Sequence, residues 1–186
     1  GGKQKAMGEA ITERDSLPVM TTLGVTTLIS DSGVTRYRVN TEEWMMYDRK
    51  KPSYWAFEKG VYMEQFDSIF NVEASIKADT AYYYDKERLW KLIGNVDIQN
   101  RKGERFNTEL LYWNEATQKV YSDKFIRIQQ PDRIITGHGF DSNQQMTIYT
   151  IRNIEGIFYV DEEASGGPPQ PETKALPDSV NKDTAK

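Results

Sequence analysis

The chain's one histidine, His138, stands between Gly137 and Gly139 in the run GHGFDS. An imidazole titrates near neutral pH and can serve as a general base or a metal ligand, but either role needs partners. The 186 residues contain no cysteine, which removes thiolate metal sites, disulfides and cysteine nucleophiles together. No serine–histidine–aspartate set and no metal-ligand spacing assembles around His138. Gly137 and Gly139 read instead as backbone devices, a bulge or sharp turn where a side chain would clash. Glu42/Glu43 and Glu64/Asp67 are the carboxylate pairs that could supply the acid and base of a glycosidase. Their neighbours are ordinary strand and turn residues, where carboxylates usually form a solvated face. The residues therefore predict no catalytic group, no metal and no cofactor.

The stronger chemistry is apolar, and alternating segments present it. Phe70, Val72, Ala74 and Ile76 interleave with Asn71, Glu73, Ser75 and Lys77. Trp90, Leu92, Gly94, Val96 and Ile98 interleave with Lys91, Asn95, Asp97 and Gln99, with Ile93 the one apolar intruder. Phe106, Thr108, Leu110 and Tyr112 continue the pattern less cleanly, and Tyr37 and Val39 alternate with Arg36 and Arg38. Period two means antiparallel strands with one face covered and one in water. Taken alone, such a face fills the core of a closed sandwich; the other use for it is an apolar groove.

Turn signals separate these runs at Asp31–Gly33, Asp48–Pro52, Asp85–Glu87, Asn100–Gly103, Asn114–Thr117, Pro131–Asp132 and Asp141–Asn143. Glycine and asparagine supply positive φ there, and proline presets the first turn position. Thr41–Tyr47 opens like a capped helix, with Thr41 before Glu42 and Glu43, yet strands flank it and it is assigned as strand. The prediction is an all-β chain with almost no helix. Within it, 78–142 repeats itself. An aromatic pair (Tyr83–Tyr84, then Tyr112–Trp113) leads to a polar turn, an apolar–aromatic step (Leu89–Trp90, then Val120–Tyr121) and an alternating strand. The offset of about 30 residues is that of stacked strand units.

Two segments read as exposed edges, Leu23–Ser30 and Met146–Val160. Both are rich in Thr, Ile and Val, carry few charges and contain no proline, which invites pairing with another chain. Residues 1–16 read as a polar tether, with a weak helical turn at Glu9–Arg14. Residues 164–186, with four prolines, read as a tail too poor in apolar residues to order itself. The folded body is then 17–163. Net charge is −4, which leaves no basic field for nucleic acid. No apolar run reaches the ~20 residues of a membrane span, and an anchor is expected upstream of Gly1.

These residues resemble a known family. Leu89-Trp90-x-Leu92-x-Gly94-Asn95-Val96, followed in order by Ser122-Asp123 and Gly137-x-Gly139-Phe140-Asp141-Ser142, is similar to the OstA-like superfamily. Within it, the match is to LptC-like periplasmic proteins of lipopolysaccharide export, from about Thr21 to Val160. The resemblance implies a twisted, open β-jellyroll of stacked antiparallel strands whose apolar groove carries the acyl chains of lipopolysaccharide. Phe70, Val72, Ala74, Ile76, Trp90, Leu92, Val96, Ile98 and Leu110 would line that groove. Leu23 and Val25 on one edge, and Met146, Ile148, Ile151 and Ile157 on the other, would dock partners.

The implied partners are an inner-membrane ABC transporter and an LptA-like periplasmic bridge protein. The implied place is the periplasm, tied to the inner membrane by a lipid or a transmembrane helix. Basic residues near turns, among them Lys50, Lys51, Arg101, Lys102, Lys124, Arg127 and Arg133, could meet headgroup phosphates or simply be scattered surface charge. Two alternatives stay open: an OstA-like bridge or scaffold assembling edge to edge, and a β-sheet enzyme acting on envelope polysaccharide.

Overall fold

The computed structural model describes residues 17, 18, 20–31 and 34–160. The tether 1–16, the tail 164–186 and the turn residues Ser32 and Gly33 lie outside the described residues. Eleven strands and no helix are found among those described. They are β1 (Met20–Asp31), β2 (Val34–Tyr47), β3 (Tyr54–Phe57), β4 (Val61–Phe66), β5 (Val72–Ala78), β6 (Thr80–Tyr84), β7 (Leu89–Asn100), β8 (Arg105–Asn114), β9 (Lys119–Gln129), β10 (Arg133–Asn143) and β11 (Tyr149–Tyr159). All pair antiparallel in one sheet, in the order β11-β10-β9-β8-β7-β5-β4-β2-β3-β6, with β1 added to β2. Thr41–Tyr47 is strand throughout, as alternation on both sides of it requires.

The sheet rolls because two long strands change partners midway. β7 pairs with β6 through Leu89–Ile93 and with β5 through Asp97–Asn100. β2 pairs with β4 through Tyr37–Thr41 and with β3 through Met45–Tyr47. β3 and β6 join each other, so β7, β5, β4, β2, β3 and β6 close into a ring, and β8–β11 extend from it.

Polar clamps hold both changeovers. Thr41 Oγ1 donates to Gly60 O at 2.8 Å in the β3–β4 turn. At the other, Asp79 N donates to Gly94 O at 2.9 Å and Asn95 Nδ2 donates to Asp79 Oδ2 at 2.7 Å. Gly94 and Asn95 both take positive φ, 83° and 46°. A Cβ on Gly94 would lie 3.0 Å from Asp79 Oδ2, so glycine is what lets Asp79 sit on the bulge.

That bulge belongs to a line of them crossing the sheet. Register slips by one residue between Ile93 and Val96 in β7, between Thr108 and Tyr112 in β8, and between His138 and Phe140 in β10 against β9. β10 slips again against β11 at Thr136/Gly137. Each extra residue reverses the facing of whatever follows it. β8 is therefore buried at Phe106 and Thr108 and then at Leu111 and Trp113. Strict alternation put Leu110 on the inward face; in the fold Leu111 takes that place and Leu110 turns outward.

The turns at Asp85–Arg88 and Glu115–Gln118 make the internal repeat physical. Both end on a positive-φ residue, Arg88 (54°) and Gln118 (57°), and Glu115 N donates to Arg88 O at 2.9 Å. The last predicted turn comes later than expected. β10 runs through Asp141–Asn143, and the chain reverses over Gln144–Ile148 because Asn143 Oδ1 accepts the N–H groups of Thr147 and Ile148.

Candidate functional site: the apolar interior and the free sheet edges

The inside of the roll is one apolar cluster. Trp90, Leu92, Val96 and Ile98 from β7 are fully buried, Ala74 and Ile76 from β5 nearly so. Around them pack Val39, Met63, Phe57, Phe106, Leu111, Ile126, Ile128 and Phe140. These side chains come from both arms of the sheet, and in this conformation they pack on one another. Of the nine residues expected on this face, six are buried in it. Val72 stands at the start of β5, half-exposed. Phe70 precedes the strand in the Asp67–Asn71 turn, with φ 64° and 64% exposure. Asp67 Oδ1 accepts the N–H groups of Ile69 and Asn71, both at 2.9 Å, and so ends the alternation before Val72. With Leu110 outward, Phe70 and Leu110 both depart from the shared face.

At one end the interior is closed by aromatic rings. Trp90 and Trp113, opposite each other on β7 and β8, stack at 6.4 Å and 14°. Tyr37 meets both edge-on, and Tyr83 packs on Trp90 at 4.7 Å. Glu115 gathers the polar tips here. Tyr83 Oη donates to Glu115 Oε1 at 2.6 Å, and burial first, then Glu115, pushes the Tyr37 and Tyr83 hydroxyls far above their usual range. Trp113 Nε1 donates to Gln144 Oε1 at 3.2 Å. Beside them opens a polar cavity of about 450 Å³ lined also by Arg36, Gln65 and Gln118.

Among the described residues, β1 and β11 end the sheet, each paired on one side. On β1, Leu23 is exposed and Val25 half-buried; on β11, Ile151 and Ile157 are half-buried, and Ile154 is exposed. Two residues expected on the second edge lie elsewhere. Ile148 is exposed in the turn before β11. Met146 is buried in that turn at φ 61°. Its carbonyl accepts from Asn100 Nδ2 at 2.8 Å, which ties the β10–β11 turn to the β7–β8 turn. Asn100 Oδ1 also accepts from Lys102 N and Glu104 N, both at 3.0 Å. Sequence reasoning missed this buried anchor, since an asparagine opening a turn shows nothing of a long-range partner.

A sequence profile described as "Lipopolysaccharide-assembly, LptC-related" matches residues 16–155, a span that takes in the interior and nearly all of both edges. The chain belongs to the LptC-related family. No curated protein matches it closely enough to mark a relative. Membership places it in lipopolysaccharide transport, a setting of transport and scaffold proteins at the periplasmic side of the inner membrane. Among the described residues, no helix is long and apolar enough to cross a membrane.

The polar candidates of this LptC-related chain serve local structure. Glu43 faces Lys59 at 3.7 Å and Glu64 pairs with Arg38 at 3.2 Å. The two N–H groups on Asp67, that of Asn71 foremost, hold its carboxyl below the usual range. Among the described residues, no group of three or more potential ligands is placed to hold a metal ion. His138 is exposed and bonds Glu155 through Nδ1, with Phe125 edge-on to its ring at 5.6 Å. Gly137 and Gly139 lie inside β10 rather than in a turn. Gly139 has φ 84° at the bulge, and a Cβ on Gly137 would come 2.4 Å from Asn153 O.

Proposed function

We propose that this LptC-related chain carries acyl chains of lipopolysaccharide along the inside of its rolled sheet. It stands in the periplasm, held to the inner membrane by an N-terminal anchor, and passes lipid from the ABC transporter to an LptA-like bridge protein. One observation carries this reading: an apolar lining from Trp90 to Ile98 runs inside a sheet whose two terminal strands each have an unpaired side. Each CH₂ transferred into such a lining contributes ~0.8 kcal/mol. A lining without charges offers acyl chains no preferred stopping point.

Because the lining packs on itself, loading requires the roll to part, with alkyl contacts replacing side-chain contacts. β3 forms the shortest seams of the ring, three residue pairs to β2 and three to β6. Ala74, Ile76, Trp90, Leu92, Val96 and Ile98 would then meet the lipid, with Val72 at its margin. The edge carrying Leu23 and Val25 would pair with the transporter, and the edge carrying Ile151 and Ile157 with the bridge, through backbone hydrogen bonds.

Photo-crosslinkers at Leu92 and Ile98 test the interior path. They should capture lipopolysaccharide in cells, while crosslinkers at Gln99 and Lys119 on the outside should not. Equal labelling at all four positions would sink the reading. The two open edges also support a scaffold that acts by edge-to-edge assembly alone. Light scattering separates the two, since a scaffold forms rods that lengthen with concentration.

A further inference from the structure

The line of bulges has a second effect, on the outside of the sheet. It turns Ile93, Leu110 and Phe125 outward on neighbouring strands β7, β8 and β9. They share the floor of an open depression of about 730 Å³ with Lys91, Lys124 and Arg127 at its rim. Phe125 keeps 45% of its surface exposed. Beside this floor Tyr112 and Tyr121 stack at 5.4 Å.

The rim charges are unbalanced. Glu109 reaches the depression, but its Oε2 accepts the bulge N–H of Asn95 at 3.2 Å, and Glu155 is taken up by His138. Among the described residues, the Lys91 and Lys124 ammonium groups have no ion-pair or hydrogen-bond partner, and Arg127 has only Gln129 Oε1 at 3.5 Å. On a chain of net charge −4, three cations around exposed apolar side chains form a local reversal of sign.

We propose that this outer depression binds an anionic amphiphile. An alkyl chain lies on Ile93, Leu110 and Phe125, and a phosphate monoester is held by Lys91, Lys124 and Arg127. A phosphate alone would leave the apolar floor in water, and a neutral hydrocarbon would desolvate the ammonium groups without compensation. Only a ligand with both parts satisfies floor and rim. The site lies on the opposite face of β7 from Leu92, so it is separate from the interior path and does not rest on it.

The test is a titration of the isotope-labelled full chain with dodecyl phosphate below its micelle concentration, followed by NMR. Inorganic phosphate and dodecyl maltoside supply the head-only and uncharged-head arms. Dodecyl phosphate should shift the resonances of Ile93, Leu110 and Phe125 and leave those of Trp90 and Leu92 in place. Replacing both lysines (Lys91→Gln with Lys124→Gln) should weaken binding about tenfold, as expected for losing two charge-assisted contacts. Phe125→Ser, at an exposed position, should weaken binding without changing the melting temperature.

Equal affinity for inorganic phosphate or dodecyl maltoside would overturn the proposal. So would shifts centred on Trp90 and Leu92, or binding that both variants leave unchanged. Acyl capture at Leu92 with no binding at Phe125 would remove this site and leave the interior reading standing.

Discussion

Arg152 on β11 crosses β10 directly over Gly139, so closely that a Cβ on that glycine would lie 2.7 Å from Arg152 Nε. From there its guanidinium donates to Ser122 O at 2.8 Å and to the carboxylates of Asp141 and Asp123. One side chain thus ties the last three strands together across a bulge. Gly139→Ala should displace it and also strain a backbone held at φ 84°. The expected loss is about 1–3 kcal/mol, read as a lowered Tm. Arg152→Ala in the Gly139→Ala background should add little, because the contact is already gone.

The interior and the Asp67 turn should answer differently to truncation. Leu92→Ala removes a fully buried side chain and should cost about 2–5 kcal/mol. Phe70→Ala, in the exposed turn, should cost no more than about 0.5 kcal/mol. Urea unfolding of the two variants checks this directly. Similar costs would mean that Phe70 packs on the interior after all.

Asn100 is expected to matter as much as a core residue. All its side-chain hydrogen-bonding groups are engaged, to Met146 O, Glu104 Oε1, Lys102 N and Glu104 N. Asn100→Asp removes the donors and sets a carboxylate against the Met146 carbonyl and the Glu104 carboxylate. A loss of about 1–3 kcal/mol follows from orphaning a buried carbonyl. Hydrogen exchange should show it first in the turns before β8 and β11.

Alkaline pH should weaken the fold through Tyr149. Burial, then its hydrogen bond to Glu104 Oε2 at 2.7 Å, pushes its hydroxyl up to about 12 from the ordinary 10.0. The folded state holds this proton more tightly than the unfolded chain does. The contribution is therefore complete below pH 10 and is lost as pH rises toward 12. Tyr149→Phe should flatten the fall in Tm across that window, and an unchanged slope would place the titration elsewhere.

Charges placed on the edges should block assembly without harming the fold. Leu28 and Ile154 are exposed on β1 and β11, so Leu28→Lys and Ile154→Lys should each stay within about 0.5 kcal/mol of the parent. If the edges dock partners, co-purification of the transporter should fall with the first substitution and that of the bridge protein with the second. Retained co-purification would move docking off the edges.

The amino-acid sequence by itself determined what depends on near neighbours. Period-two alternation in 72–76 and 90–98 specified strands and their inward face. Asparagine and glycine marked most turns, and the proline-free, Thr- and Ile-rich runs at 23–30 and 149–160 marked the two terminal strands. The repeat of 78–114 in 112–142 announced two turns of one shape. The tertiary structure decided what depends on register. A bulge adds one residue to one strand, and its position is set by the partner opposite, as Asp79 sets the bulge at Gly94–Asn95. Every residue beyond it changes face. For that reason Leu111, not Leu110, points inward, Met146 is core rather than edge, and Ile93 joins Leu110 and Phe125 outside. Closure through β3 and β6 was likewise invisible, because it joins short strands by three pairs whose alignment exists only once β2 and β7 have bent.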